Sequence, residues 1–276
     1  MTPGKPSATA MLVARSVARR GAEHGLPTLA VRLAEQALAL GAQQGSVLAA
    51  LAGHRIGRLV LDAMERIVLP GLAAHHCARK AWVWRRLQRW QASDGKLVWL
   101  GVGFDGLGRS LVARGSNARV VETDHPDTLR LRRMLAGAQG VEMRGIELPA
   151  QVGALLEMCA ATPTTVVCEG MLMYLPAREV LRSLHALAAL PAPPRLIFSA
   201  LDTTQPGGRG FRRPAAAVRR WLDHYGEPFR WRLRPDRVCR CLASVGYVVV
   251  GRWDGNNFGE YVIEVAPATP IRLDVG

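Results

Sequence analysis

From residue 96 onward, short apolar runs alternate with helix-length segments, and no other feature of the chain limits its fold as much. The runs are LVWLGVG (97–103), ARVVETD (118–124), a weaker one at 141–144, TTVVCEG (164–170) and PRLIFSALD (194–202). The segments between them predict helices at 108–114, 127–136, through 155–159 and at 177–190. Strands joined by helix-sized crossovers indicate an α/β fold with a parallel sheet. The end differs. GYVVVGRWD (246–254) and EYVIEVAP (260–267) flank the turn-rich GNNFG (255–259), which predicts an antiparallel hairpin at a sheet edge.

Residues 1–95 read as helical, with apolar spacing through 26–40 and 57–69, a break at Pro70-Gly71 and a further helix at 79–90. Trp82, Trp84 and Trp90 are read as core residues of that helix. The expected organisation is an N-terminal helical cap over the substrate (1–95) and a core (96–276). An insertion at 203–245 opens with QPGGRGFRRP and continues with a helical piece at 215–225. An insertion of that length over a sheet's rim is usually a lid or substrate wall. With 276 residues, 49% of them hydrophobic, the chain can bury one large core and an appendage.

The net charge is +14. The positives cluster at Arg79, Lys80, Arg85, Arg86 and Arg89, and again between Arg209 and Arg240, where ten arginines face Asp223, Glu227 and Asp236. Such clusters fit a nucleic-acid partner or a solvated surface. The aromatic-glycine interleaving of RNA-recognition surfaces is sparse, so nucleic acid is not favoured. Cys77, Cys159, Cys168, Cys239 and Cys241 are odd in number and lack metal-type spacing, which reads as reduced thiols. No apolar run reaches the length of a membrane span or a secretory leader, so the expectation is a cytoplasmic protein without a membrane partner.

Ligands of open parallel sheets bind beyond the carboxyl ends of the strands, where the strand order reverses. The first run ends Gly101-Val-Gly103-Phe-Asp105, and glycine lets a backbone approach a ligand because no Cβ intervenes. Gly106 completes a three-glycine spacing, but Leu107-Gly108-Arg109 is a poor helix start for cradling a pyrophosphate. The second run ends in Asp124, 23 residues after Gly101 (124 − 101). An acid there can bond both hydroxyls of a ribose; its other reading is the cap of the helix after Pro126. Glu122 lies inside that strand or on its other face. The fourth run ends in Glu169, which suits a cationic group such as an amino acid ammonium, or serves as a helix cap or a partner for an arginine. Asp105, Asp124 and Glu169 on one rim would repel one another. A ligand with hydroxyls and an ammonium would relieve that.

These residues resemble the leucine carboxyl methyltransferase family of S-adenosylmethionine-dependent O-methyltransferases, in its bacterial branch. The matching pieces are Leu100-Gly-Val-Gly-Phe-Asp105, Glu122-Thr-Asp-His-Pro126, Glu169-Gly-Met-Leu-Met-Tyr-Leu175, Gly226-Glu-Pro228, and Thr9-Ala10 with Ala14-Arg15. The resemblance implies a Rossmann-like class I methyltransferase fold, with a seven-stranded, mostly parallel sheet and an antiparallel C-terminal hairpin. It implies S-adenosylmethionine as cofactor. Gly101 and Gly103 would pass under it, Asp124 would hold its ribose and Glu169 would sit near its methionine part. Arg79, with Lys80 the alternative, would take its carboxylate, and Asp105 would set the turn or meet its ammonium. The sequence departs from the family after Asp105, where Gly106-Leu107 stand for the usual Thr-Arg, and either Arg109 substitutes or the site differs. It departs again near 145–147, where the adenine acid is replaced by Gly145 and Ile146 beside Glu147.

Methyl transfer from a sulfonium is an in-line displacement, and alignment alone is worth up to about 7–11 kcal/mol. A carboxylate acceptor is already ionised at neutral pH, whereas a hydroxyl benefits from a base. Tyr174 is expected to shape the methyl site as the catalytic residue. His125, His224 and Tyr225 are the other rim candidates. His75 and His76, adjacent on a helix, diverge, and no metal is expected. The implied reaction is O-methylation of a carboxylate or hydroxyl on a small molecule or carrier-bound acid. A non-catalytic binding module on this fold and an RNA-modifying methyltransferase with a basic surface are the other readings.

Overall fold

The structure, a computed structural model, describes residues 7–89, 95–135, 140–160, 162–202, 211, 216–255 and 258–268. Trp90, Asn256, Asn257 and all of the 205–214 stretch except Phe211 lie outside them. Five helices come first: α1 (Ala8–Arg20), α2 (Thr28–Gln43), α3 (Val47–Gly53), α4 (Arg55–Val68) and α5 (Leu72–Arg89). The Ser7 and Ser46 hydroxyls accept the Ala10 and Ala49 N–H groups and start α1 and α3. Pro70-Gly71, with Gly71 at φ +88, separates α4 from α5. α5 is longer than its sequence suggests, so Arg79 and Lys80 sit mid-helix instead of at its start.

The strands and helices then alternate: β1 (Lys96–Leu100), α6 (Leu107–Ala113), β2 (Arg119–Asp124), α7 (Pro126–Arg133), β3 (Val141–Gly145), α8 (Val152–Ala160), β4 (Thr164–Cys168), α9 (Ala177–Ala188) and β5 (Arg195–Leu201). After α10 (Ala216–His224) and α11 (Val238–Ala243) come β6 (Tyr247–Trp253) and β7 (Glu260–Pro267). They form one seven-stranded sheet of order β3-β2-β1-β4-β5-β7-β6. β1 to β5 run parallel, and β7 pairs antiparallel to both β5 and β6. This is the Rossmann-like class I methyltransferase sheet that the resemblance implies. α11 had no counterpart in the sequence reading.

The strands are apolar on both faces because both faces are covered. Leu97, Trp99, Val120, Val167 and Ile197 pack with α1, α2, α5, α6 and α7 on one side. Val98, Leu100, Val121, Val166 and Phe198 pack with α8, α9 and α11 on the other. Trp84 is buried and Trp82 packs on the same core, as expected of them. A third cluster sits over the sheet's rim, where Leu69, Leu72, Met173, Phe211 and Leu222 meet Leu12, Tyr174 and Phe229. Among the described residues no helix is long and apolar enough to cross a membrane, and all five cysteines are free thiols.

Candidate functional site

The sheet order reverses between β1 and β4, and a cavity of about 530 Å³ opens beyond their carboxyl ends. Its walls bring together Arg79, Gly101, Gly103, Asp105, Asp124, Glu169 and Tyr174, with Lys80 beside them.

The loop after β1 explains its glycines locally. Gly101 and Gly103 have φ of +62° and +52°, in the left-handed region. A Cβ at Gly101 would lie 2.9 Å from the Met171 Sδ, and one at Gly103 would lie 3.2 Å from the Ala10 Cβ. Asp105 closes the turn. Its Oδ1 accepts the Leu107 N–H at 2.6 Å and starts α6, and its Oδ2 pairs with Lys80. A clamp secures the loop from the other side. Arg132 of α7 donates to the Gly103 carbonyl at 3.2 Å and also to the Asp105 carbonyl. The buried Glu122 of β2 accepts from Arg132 Nε at 2.7 Å and from Arg109 at 3.3 Å. Arg109 is therefore a buried partner of Glu122 and does not line the cavity.

Asp124 is not the cap of α7. His125 is, its Nδ1 accepting the Asp127 N–H at 3.2 Å. The Asp124 carboxylate accepts the Gly103 and His125 N–H groups, each at 2.7 Å, and lines the cavity. Burial pushes this carboxyl above its ordinary value, and the two N–H bonds oppose that.

Behind the loop runs a buried chain of charges. Glu169 Oε1 accepts from Arg79 Nε at 2.7 Å and lies 3.2 Å from Lys80 Nζ. Arg79 Nη1 donates to both oxygens of Glu260 at 2.7 Å, and Glu260 bonds His75 Nε2 at 2.8 Å. Of its alternatives, Glu169 is thus the partner of an arginine. Two atoms on the cavity-lining members of this chain are unspent. Glu169 Oε2 is buried with no partner, which suits a cationic donor. Arg79 Nη2 bonds nothing among the described residues and faces the bare Cα of Gly170, where a Cβ would come within 3.3 Å. Arg79 and Lys80 are interior, so the first basic cluster is not a surface patch.

His76, next in the helix, bonds Ser16 Oγ at 3.0 Å, and burial together with the Arg79 charge holds its imidazole well below the ordinary 6.5. The folded chain therefore refuses a proton that the unfolded chain takes up below pH 6.5. Stability is expected to be full above that pH and to fall on acidification below it, by up to about 1.4 kcal/mol per pH unit. Urea unfolding from pH 7 to 5 checks this, and His76→Gln should flatten the slope.

The outer half of the cavity is apolar and aromatic. Tyr174 stacks on Phe229 at 5.7 Å and Phe211 meets Phe229 edge-on at 5.6 Å. The insertion is tied down by the Met173 carbonyl, which accepts the Arg230 and Trp231 N–H groups at 2.7 and 3.1 Å. That places the buried Glu227 in the wall, where its Oε2 accepts the Thr9 N–H at 3.3 Å and the Thr9 hydroxyl. Burial, then the Glu227 charge, push the nearby Tyr174 phenol above its ordinary value.

The remaining candidates lie elsewhere. His125, Gly145, Ile146, Glu147, His224 and Tyr225 do not line the cavity. Sequence reasoning missed Arg132 and Glu260. The available signal was an acid inside an apolar strand, Glu122 and Glu260 alike, which must find a cation once buried.

The sequence model of the leucine carboxyl methyltransferase family matches residues 30–188. No curated protein matches the chain. Among solved structures, the magnesium protoporphyrin IX methyltransferase of Synechocystis PCC 6803, solved with SAH, is similar at 16% identity. It has a TM-score of 0.49 over 71% of this chain and 85% of that one. An O-methyltransferase family protein from Burkholderia thailandensis is similar at 16% identity, with a TM-score of 0.47 over 82% and 74%.

Proposed function

The chain belongs to the leucine carboxyl methyltransferase family, and on that premise we propose that it is an S-adenosylmethionine-dependent methyltransferase acting on an oxygen atom of a small molecule. The observation that carries this reading is the pair of unspent atoms at the sheet's switch point, Glu169 Oε2 and Arg79 Nη2. They are an acceptor and a donor of opposite charge on facing residues, the complement of an amino acid's ammonium and carboxylate. The remaining residues fit the rest of the cofactor. Asp124 has lone pairs left for two ribose hydroxyls, and Gly101 and Gly103 leave the loop without side chains. The bound cofactor supplies a methyl group on a positively charged sulfur. Asp105 fixes the loop and neutralises Lys80, and Arg132 holds the loop's carbonyls. The N-terminal helices and the insertion cover the cavity with apolar side chains and keep water from it. Tyr174 stands at the boundary between the two halves, a protonated phenol that orients the acceptor by hydrogen bonding.

Calorimetric titration with S-adenosylhomocysteine tests this reading. Micromolar binding is expected for the native chain. Asp124→Ala should weaken it about 100-fold or more, the loss of two hydrogen bonds to a charged group. Absence of binding to folded native protein would overturn the reading.

A further inference from the structure

We infer that the acceptor is an apolar molecule methylated on a hydroxyl group, and that Glu227 is the base that removes the hydroxyl proton. The inference rests on the methyl-transfer reading above and deepens it.

The first support is a count of charges around the cavity. Among the described residues its cations are Arg15, Arg79 and Lys80. Arg15 is paired with Asp62 and, at 3.0 Å, with Glu65. Arg79 is held by Glu169 and Glu260, and its one free nitrogen faces the cofactor's end of the cavity. Lys80 is held by Asp105 and Glu169. Among the described residues no cation is left to receive the carboxylate of an acceptor. The carboxylates do not balance in the same way. Glu65, Asp105 and Glu169 each face a cation, and Asp124 is bonded by two backbone N–H groups. Glu227 is different: among the described residues its partner is Thr9, a neutral residue, which bonds one oxygen only. The other oxygen makes no bond among the described residues, although the residue is buried in the cavity wall. An anionic acceptor would meet this charge at close range in a poorly hydrated space and be repelled. A hydroxyl would instead donate to it.

The second support is the surroundings. Tyr174 lines the same cavity, and burial keeps its phenol protonated, so it can donate a hydrogen bond but not accept the proton. Leu12, Met173, Phe211, Trp221 and Phe229 line the cavity as well, which suits an aromatic or aliphatic skeleton.

The step balances as follows. The acceptor's O–H proton passes to the free oxygen of Glu227. The oxygen's electron pair forms the new O–CH₃ bond. The C–S bond breaks with its electron pair kept on sulfur, which becomes a neutral thioether. Glu227 then releases the proton to water as product leaves. A carboxylate acceptor needs none of this, so a base placed here has a use only for a proton-bearing acceptor.

The test compares acids and alcohols of the same skeleton, naphthol with naphthoate and octanol with octanoate, on the protein saturated with S-adenosylhomocysteine. Calorimetry should show each alcohol binding about tenfold or more tightly than its acid. Glu227→Gln, nearly isosteric and still able to accept from Thr9, should bind S-adenosylhomocysteine as the native chain does. It should also lose most of the preference by gaining affinity for the acids. With S-adenosylmethionine, turnover of the bound alcohol should fall about 10²- to 10⁴-fold in Glu227→Gln. Acids binding as tightly as alcohols, no alcohol binding, or a Glu227→Gln variant with unchanged acid-to-alcohol ratio would each overturn the inference. If the native chain fails to bind S-adenosylhomocysteine, the methyl-transfer reading itself falls; if it binds that ligand but prefers acids, this inference alone falls.

Discussion

Arg132→Met is expected to destabilise the folded chain by about 3–5 kcal/mol, the usual cost of removing one member of a buried ion pair. The arginine has no exposed surface, and neither has its partner Glu122. Without Arg132, Glu122 keeps only the longer bonds to Arg109 at 3.3 Å. Methionine fills a comparable volume, so the loss measures charge and hydrogen bonding more than a cavity. The Gly103 and Asp105 carbonyls lose their donor as well. Since Gly103 N–H also bonds Asp124, a loop freed from Arg132 no longer holds Asp124 in place. Binding of S-adenosylhomocysteine should therefore fall with stability, even at temperatures where the variant remains folded. Urea unfolding gives the first quantity and calorimetry the second. A variant as stable as the native chain would show that the clamp contributes nothing.

Arg79→Met should cost about as much, for a different reason: it strips two carboxylates at once. Glu260 would keep His75 and Glu169 would keep Lys80, but each loses its 2.7 Å guanidinium bond. Combining Arg79→Met with Glu260→Gln should return part of the loss, with a coupling of about 0.5–3 kcal/mol. The pH dependence has a definite sign. Burial opposes the Glu260 carboxylate, yet the Arg79 charge and the His75 bond outweigh it and hold the group far below its ordinary 4.5. Its contribution is thus whole above about pH 4.5 and is lost progressively in stronger acid, so the deficit of Arg79→Met should shrink there. Binding of S-adenosylhomocysteine should weaken about 10- to 150-fold, the worth of one charge-assisted bond.

The sequence carried the element order because each strand is covered on both faces, which leaves compact apolar runs separated by helices. It carried the strand-tip residues because a carboxylate after an apolar run has few other uses. It did not show how the charges pair. Arg79 and Glu260 are 181 residues apart, and composition reads Arg79 and Lys80 as part of a solvated cluster when they are the interior of the site. The start of α5 was hidden because Leu72–Cys77 mixes small, apolar and histidine residues, and both sides of the helix there are buried. Thr9 and Glu227 were each visible as matched pieces of a family pattern, but their meeting depends on how α1 and the insertion fold over the rim.

β7 is inserted between β5 and β6, yet it follows both of them in the chain. Until it docks, Arg79 lacks Glu260 and β5 presents an unpaired edge beside the half-built site. Synthesis thus delivers the β1 loop, Asp124 and Glu169 well before the strand whose Glu260 balances Arg79. Completion of the site is then a single late event, the closing of one hairpin.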